Sequence, residues 1–291
     1  MSATLVPTEI GVTAAEAIRD LCARAVGGTP VAEYAEAEPL AWEVLEAGGW
    51  DLVGAPEADG GGDATLLDLV LVARAWGETI VPAPFLTSLM AKRWSVAARD
   101  CEGPVTFAVA DPSWSQPGHV PFGTVAPHLL RSVERDEIVP TPVGKPEPFA
   151  PSLRATTVGV VSELTAQAGG ELAVVWAAEA TGCAERLLAM SVAYAKERHQ
   201  FDRPIGSFQA VKHTLSSMKV LAETAETAVL WAAIESGHRH RAAAWALDAS
   251  LDVAERAVQV HGGMGFTWEM GLHFYLRHIT VLRQLVRGLP R

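Results

Sequence analysis

Two short runs concentrate the residues able to grip a phosphate. The first, YAKERHQFDRPIGSFQ at 194–209, holds Arg198, Gln200 and Gln209. The second, QVHGGMGF at 259–266, holds Gln259 and the pair Gly262 and Gly263. A guanidinium presents a planar fork of donors that meets a pyrophosphate through two parallel hydrogen bonds. Paired glycines let backbone approach a ligand with no Cβ in the way. Taken alone, Arg198 is an ordinary cation at a helix end, complementing the dipole. The pairing of the two runs is what points to phosphate chemistry.

Helices must position these residues. Arg198 ends a pattern in which Leu172, Val175, Trp176, Glu179, Ala180, Cys183, Leu187, Met190 and Tyr194 recur at three-to-four spacing, a stripe suited to a bundle. Phe201, Pro204 and Ile205 break it into a turn, and Phe208 and Gln209 open the next helix. Helices are predicted over 171–197, 208–236, 241–261 and 270–287, with Gly182 marking a close helix–helix approach. Upstream, 1–99 also reads as helical. Thr13 with Glu16 forms a capping-box pattern before AIRDLCARAV. A helix starts between Pro39 and Glu46, closed by Gly48 and Gly49, and 65–79 is an apolar helix. Between these halves, ten of the eighteen prolines fall from Pro104 to Pro151. Short strands are predicted at VTFAVA (105–110), EIVPTP (137–142) and TTVGVV (156–161), with prolines confined to edges and turns. The expected fold class is mainly α with a truncated central β-region. Its divisions are an N-terminal helical domain (1–99), a shortened β-domain (100–169) and a C-terminal four-helix bundle (170–291).

The paired runs resemble the C-terminal domain of the acyl-CoA dehydrogenases. The family pattern R-x-Q-F-G-x-x-I-x-x-F-Q is met by Arg198, Gln200, Phe201, Ile205, Phe208 and Gln209, and Q-x-x-G-G-x-G-[FY] by Gln259, Gly262, Gly263, Gly265 and Phe266. Asp202 departs from the family's glycine; if a positive φ is needed there, Asp tolerates it better than most residues. GWDLVGAPEADGGG (49–62) and PAPF (82–85) are looser likenesses to the family's N-terminal domain. The resemblance implies FAD as cofactor, its ADP end held across a subunit interface by Arg198, Gln200, Phe201, Gln209, Gln259, Gly262 and Gly263.

The same resemblance exposes what is missing. The flavin-ring runs T-E-x-x-x-G-S-D and W-I-T are absent. The family's base glutamate lies either on the first helix of the C-terminal domain, where Leu172 stands, or in a Y-E-G loop, where LRQLVRG puts Val286 or Arg287 beside Gly288. Leucine cannot abstract a proton and arginine stays protonated. Glu171 is one residue off and about 100° round the helix. No catalytic residue is therefore expected here. The chain resembles the small β-type subunit of heteromeric α2β2 acyl-CoA dehydrogenases of bacterial steroid catabolism, whose larger subunit carries the base and most of the flavin and acyl-CoA pocket. An electron-transfer acceptor would complete the reaction. Two alternatives stand beside this one: a flavin-free structural subunit docking through FTWEMGLHFY (266–275), and an active homodimer with a relocated base.

Composition narrows the remaining classes. With a net charge of −11 and no basic stripe, the chain is not expected to bind nucleic acid. Cys22, Cys101 and Cys183 are isolated, which suits a reducing compartment and gives no thiolate metal site. No apolar run reaches membrane-spanning length and the first twenty residues lack signal-peptide character, so a cytoplasmic protein is expected. GGMGF follows no strand, so a dinucleotide fold is disfavoured. His238 and His240 share no helix face and read as a solvated turn; Asp248, Asp252 and Glu255 read as a hydrated stripe. His261, beside the glycine pair, is either an adenine contact or a helix-end cation.

Overall fold

Asp68 organises the first two long helices. The computed structural model describes residues 6–110 and 118–291; 1–5 and 111–117, which include part of the proline-rich stretch, lie outside the described residues. Helix α1 (Glu9–Val26) starts at Thr8, not at Thr13, which lies inside it. The Thr8 backbone N–H donates to Asp68 at 2.7 Å, a contact sixty positions away in sequence. That tie sets the start where a local pattern suggests otherwise. A true capping box opens α4 (Leu66–Gly77): Thr65 Oγ1 accepts from the Asp68 N–H at 3.2 Å, and the Asp68 carboxylate accepts from the Thr65 N–H at 2.9 Å. Short helices α2 (Val31–Tyr34) and α3 (Trp42–Ala47) lie between them. The third begins only at Trp42, after Pro39. Helices α5 (Phe85–Trp94) and α6 (Val96–Arg99) complete the N-terminal half.

The central β-region is two small sheets. In the first, β1 (Val105–Thr106) runs parallel to β4 (His128–Ser132), which is antiparallel to β5 (Glu137–Pro140). In the second, β2 (Val109–Ala110), β3 (Gly118–Val120), β7 (Thr156–Val158) and β6 (Lys145–Pro146) are antiparallel in the order β2-β3-β7-β6. The expected strand VTFAVA is thus divided between sheets. Ser162 causes the division: its hydroxyl accepts from the Ala108 N–H at 2.9 Å, and its own N–H donates to the Ala108 carbonyl at 2.8 Å. Both backbone groups of Ala108 are thereby taken out of the ladders.

Four long helices follow: α7 (Ala166–Glu197), α8 (Gln209–Ile234), α9 (Arg239–His261) and α10 (Leu272–Arg287). A two-strand hairpin, β8 (His199–Gln200) with β9 (Arg203–Pro204), joins the first pair. The core is continuous from α1 to α10, and the buried rings Trp176 and Phe107, 5.9 Å apart, carry it into the β-region. Helix α7 crosses α4 through two glycines. A Cβ at Gly182 would lie 2.0 Å from the Arg74 carbonyl oxygen, and one at Gly77 2.0 Å from that of Glu179. Gly182 therefore marks the close approach its position suggests. Arg74 locks the crossing with ion pairs to Glu185 at 2.6 Å on α7 and Glu226 at 2.7 Å on α8. Gly182→Ala is expected to force these backbones apart at a cost of about 1–3 kcal/mol, the usual range for overpacking. A denaturant midpoint unchanged by the substitution would refute this crossing geometry.

Candidate functional site

The first helix of the bundle ends where phosphate chemistry was expected. Arg198 caps α7 in extended conformation; its N–H donates to the Tyr194 carbonyl at 2.9 Å, and its carbonyl accepts from the Ile205 N–H at 2.8 Å. Its backbone is pinned, while its exposed guanidinium makes no hydrogen bond or ion pair among the described residues. The hairpin beyond turns on two residues, Phe201 at φ 55° and Asp202 at φ 61°. Positive φ at both central positions is the type I′ geometry that suits strand twist and normally selects Asn-Gly. Asp202 thus meets the positive φ required of its position. Phe201 adopts an unfavourable backbone region and yet is 85% exposed. Arg203 lies over the Phe208 ring at 4.1 Å and steadies the hairpin.

The second run faces the first. Helix α9 ends at His261, and Gly262, at φ 59°, turns the chain into a single 3₁₀ turn, Gly262–Phe266. A Cβ on Gly262 or Gly263 would meet nothing within 4 Å, so this backbone lies open. Gly265 differs: a Cβ there would come 2.5 Å from the Val258 carbonyl, so the turn requires glycine. The His261 ring stacks on Tyr194 with centroids 4.3 Å apart, tying the two helix ends together. Between them lies an open cavity of about 440 Å³, lined by Arg198 and Gln200 on one side and Gly262 and Gly263 on the other. Phe201, Gln209 and Gln259 do not line it. Gln209 begins α8, Gln259 is exposed on α9, and the Gln200 amide donates to the His199 carbonyl at 2.7 Å.

His261 is buried, with Nδ1 2.8 Å from the Ala257 carbonyl and Nε2 without a partner. Burial lowers its pKa below the ordinary 6.5, only partly opposed by the Ala257 carbonyl. It is therefore no helix-end cation at neutral pH. Burial also lowers His240 and His273. For each, the unfolded ring binds a proton that the folded ring declines. Their contribution to stability is thus full above the ordinary histidine pKa and lost as pH falls below it. The melting temperature is expected to fall as pH drops from 7 towards 5, with a shallower slope in His261→Gln. An equal slope in the variant would show that His261 takes no part.

No carboxylate stands at either family base position. Leu172 is fully buried on α7, Val286 is buried on α10 and Arg287 follows it. Glu171 is buried and held by others. It accepts from Trp94 Nε1 at 3.0 Å, Gln167 Nε2 at 3.1 Å and Arg93 Nε at 3.2 Å, with Arg239 3.8 Å away. Burial raises its pKa, but the Trp94 hydrogen bond, the Arg93 charge and the remaining donors outweigh that and hold the carboxyl below its ordinary value. A carboxylate so stabilised is a poor base.

Two expected surface features have partners instead. His238 is exposed in the 3₁₀ turn Ser236–His238, as read, and stacks on Trp231, whereas half-buried His240 lies in the first turn of α9. Asp248 pairs with Arg283 at 2.5 Å and Asp252 with Arg256 at 2.9 Å. Among the described residues, no group of three or more His, Cys, Asp and Glu could hold a metal, and no helix is long and apolar enough to cross a membrane. A buried chain links Ser152, His278 and Glu179; its members come from three distant segments, so no local pattern announces it.

Comparison with known proteins agrees with this architecture. Residues 170–285 match the acyl-CoA dehydrogenase C-terminal domain. The acyl-CoA dehydrogenase IpdE2 of Mycobacterium tuberculosis is 31% identical over 250 residues, covering 81% of this chain and 78% of that one. Among solved structures, the ChsE4–ChsE5 complex from Mycobacterium tuberculosis superposes with a TM-score of 0.73 at 22% identity, over 98% of this chain and 95% of that chain. The Tcur3481–Tcur3483 steroid ACAD superposes with a TM-score of 0.71 at 23% identity, over 94% and 93%. Mostly helical, with small sheets between its helical parts and a C-terminal bundle matched along most of its length, the chain belongs to the acyl-CoA dehydrogenase family.

Proposed function

We propose that this chain is the subunit of a heteromeric, FAD-dependent acyl-CoA dehydrogenase that lacks the base and holds the ADP end of the cofactor. One contrast carries the reading. The free Arg198 guanidinium and the open Gly262–Gly263 backbone border one cavity, while both family base positions hold residues that cannot take a proton. The fittings suit a pyrophosphate: a fork of donors with no competing carboxylate in the lining, and backbone approachable without a Cβ. Bound FAD supplies a hydride acceptor for α,β-desaturation of an acyl-CoA thioester. Arg198 would pair with the pyrophosphate, and the Gly262–Gly263 backbone would let the ADP end approach with no Cβ in the way. Gln200 would turn its amide from His199 to the ligand, with Phe201, Gln209 and Gln259 on the flanking surface.

The surroundings of the cavity support a partner. Phe201 is 85%, Phe266 78% and Trp268 52% exposed, aromatic area of the kind that interfaces bury. Holding Phe201 at positive φ costs free energy, which an isolated surface turn has no reason to retain. The larger, base-carrying subunit of an α2β2 assembly would cover this face and supply most of the acyl-CoA pocket. A bulky, steroid-derived acyl group is the substrate class favoured, since one structural relative is a steroid ACAD.

The test is to purify the chain alone and co-expressed with a base-carrying acyl-CoA dehydrogenase partner. Flavin absorbance and steroid-acyl-CoA turnover are expected only in the heteromer. Flavin and turnover in the lone chain would instead establish an active homodimer with a relocated carboxylate.

A further inference from the structure

The two runs that border the cavity at Arg198 are each folded back on their own helix. On α7, the Arg198 N–H donates to the Tyr194 carbonyl at 2.9 Å. A Cβ on Gly206 would come 2.9 Å from the Ala195 carbonyl, so its absence lets the chain after the hairpin return to α7. On α9, the Gly262 N–H donates to the Gln259 carbonyl, and Gly265 packs against Val258. Each run is thus fixed to its helix, and the spacing between them depends on how the two helix ends meet. They meet at Tyr194 and His261. The rings stack with centroids 4.3 Å and planes 25° apart, and the Tyr194 hydroxyl donates to the His261 carbonyl at 3.4 Å. Tyr194 lies one helical turn before Arg198, and His261 immediately precedes Gly262.

The stack suits a neutral imidazole. His261 Nδ1 lies 2.8 Å from the Ala257 carbonyl and so carries the proton, which leaves Nε2 bare, buried and without a partner among the described residues. A second proton would put a buried N–H there with no acceptor, which costs free energy. Opening the stack would bring that N–H to water. Tyr194 and Arg198 from α7 are the groups beside His261 that titrate or carry charge; the hairpin and the glycine turn line the cavity with uncharged residues. Burial, opposed by the Ala257 carbonyl, accounts for the lowered pKa of His261, with no side-chain charge contributing.

We propose that Tyr194 and His261 are positioning residues: their stack sets the spacing between Arg198 and the glycine turn that the ADP end of the cofactor spans, and protonation of His261 opens it. The inference rests on the flavin reading and adds regulation to it. The closed arrangement disfavours the protonated ring, so flavin affinity is full above the His261 pKa and lost as pH falls through it. The heteromer then keeps flavin near neutral pH and releases it on acidification.

Two measurements test it. In the lone chain, hydrogen exchange at the Arg198 and Gly262 amides reads the two helix ends without any flavin. Tyr194→Leu is expected to speed exchange at both by about three- to tenfold, the loss of one aromatic stack, and Tyr194→Phe to leave it unchanged. In the co-expressed heteromer, flavin affinity is measured from pH 7 to pH 5 for wild type and for His261→Phe, which keeps a ring on Tyr194 and takes no proton. Wild-type affinity is expected to fall by about tenfold per pH unit once pH is below the His261 pKa, itself below the ordinary 6.5. His261→Phe should bind within about threefold of wild type at pH 7 and lose this slope. Unchanged exchange in Tyr194→Leu would overturn the positioning role. Equal pH slopes would overturn the protonation step. Affinity that rises on acidification would overturn it too, by making His261 a phosphate contact. Flavin retained in Arg198→Ala would mean that the flavin reading itself has failed; flavin lost there but kept in Tyr194→Leu would sink the positioning pair alone.

Discussion

Arg198→Ala is expected to strip flavin from the assembled enzyme while leaving the chain folded and its partner bound. The side chain is exposed and makes no contact that alanine would forfeit, and both backbone bonds at this position, to Tyr194 and from Ile205, survive the change. Its removal deletes a pair of charge-assisted hydrogen bonds to phosphate, worth about 1.5–3 kcal/mol, or roughly 10- to 150-fold in affinity. Arg198→Lys restores the charge without the fork and should fall between the two. The measurement is the flavin-to-protein ratio after desalting, with the melting temperature of the lone chain as control. Full flavin occupancy in Arg198→Ala would end the phosphate assignment and favour a purely structural subunit. Loss of flavin together with loss of the heteromer would mean that Arg198 acts on assembly instead.

The legibility of this site follows from how local its determinants are. The junction of α7 and α8 could be read because Arg198, Pro204, Phe208 and Gln209 mark a helix end, a turn and a helix start within one short run. The hairpin inside that junction was hidden, since each strand is two residues long and the turn uses Phe-Asp where Asn-Gly is the usual signal. Strand β4 was missed for a related reason. HLLRS shows little alternation, and its partners β1 and β5 come from both sides of it in sequence. The displaced start of α1 and the divided VTFAVA strand have one cause: Asp68 and Ser162, remote side chains, capture backbone groups that local patterns had assigned elsewhere. Glu171 illustrates the limit most clearly. Helical spacing placed it off the cleft, but its clamp of Trp94, Arg93 and Arg239 comes from α5 and α9 and could not be seen from the sequence.

His278→Ala is expected to produce the largest stability loss without touching any flavin contact. The His278 ring bridges the Ser152 hydroxyl, 2.8 Å from Nδ1, and the Glu179 carboxylate, 3.0 Å from Nε2. The three residues are 1–3% exposed, so Ser152 is out of reach of any substrate and the arrangement is a structural clip, despite its likeness in composition to a hydrolytic relay. The clip joins the 3₁₀ turn Pro151–Leu153 at the edge of the β-region to α10 and to the middle of α7. Alanine at 278 leaves the Glu179 carboxylate buried without that partner, a class of change that costs about 3–5 kcal/mol. At about 2–4 °C per kcal/mol, the melting temperature should fall by roughly 6–20 °C. Ser152→Ala, which removes one neutral hydrogen bond, should cost about 1 kcal/mol. The double variant Glu179→Met/His278→Met should recover most of the loss, since apolar replacements of both members of a buried pair remove the stranded charge. A loss under about 1 kcal/mol in His278→Ala would show that water or relaxation satisfies Glu179. The contrast with Arg198 separates fold from function: one variant should lose stability at a residue remote from the cavity at Arg198, and the other should lose cofactor with its stability intact.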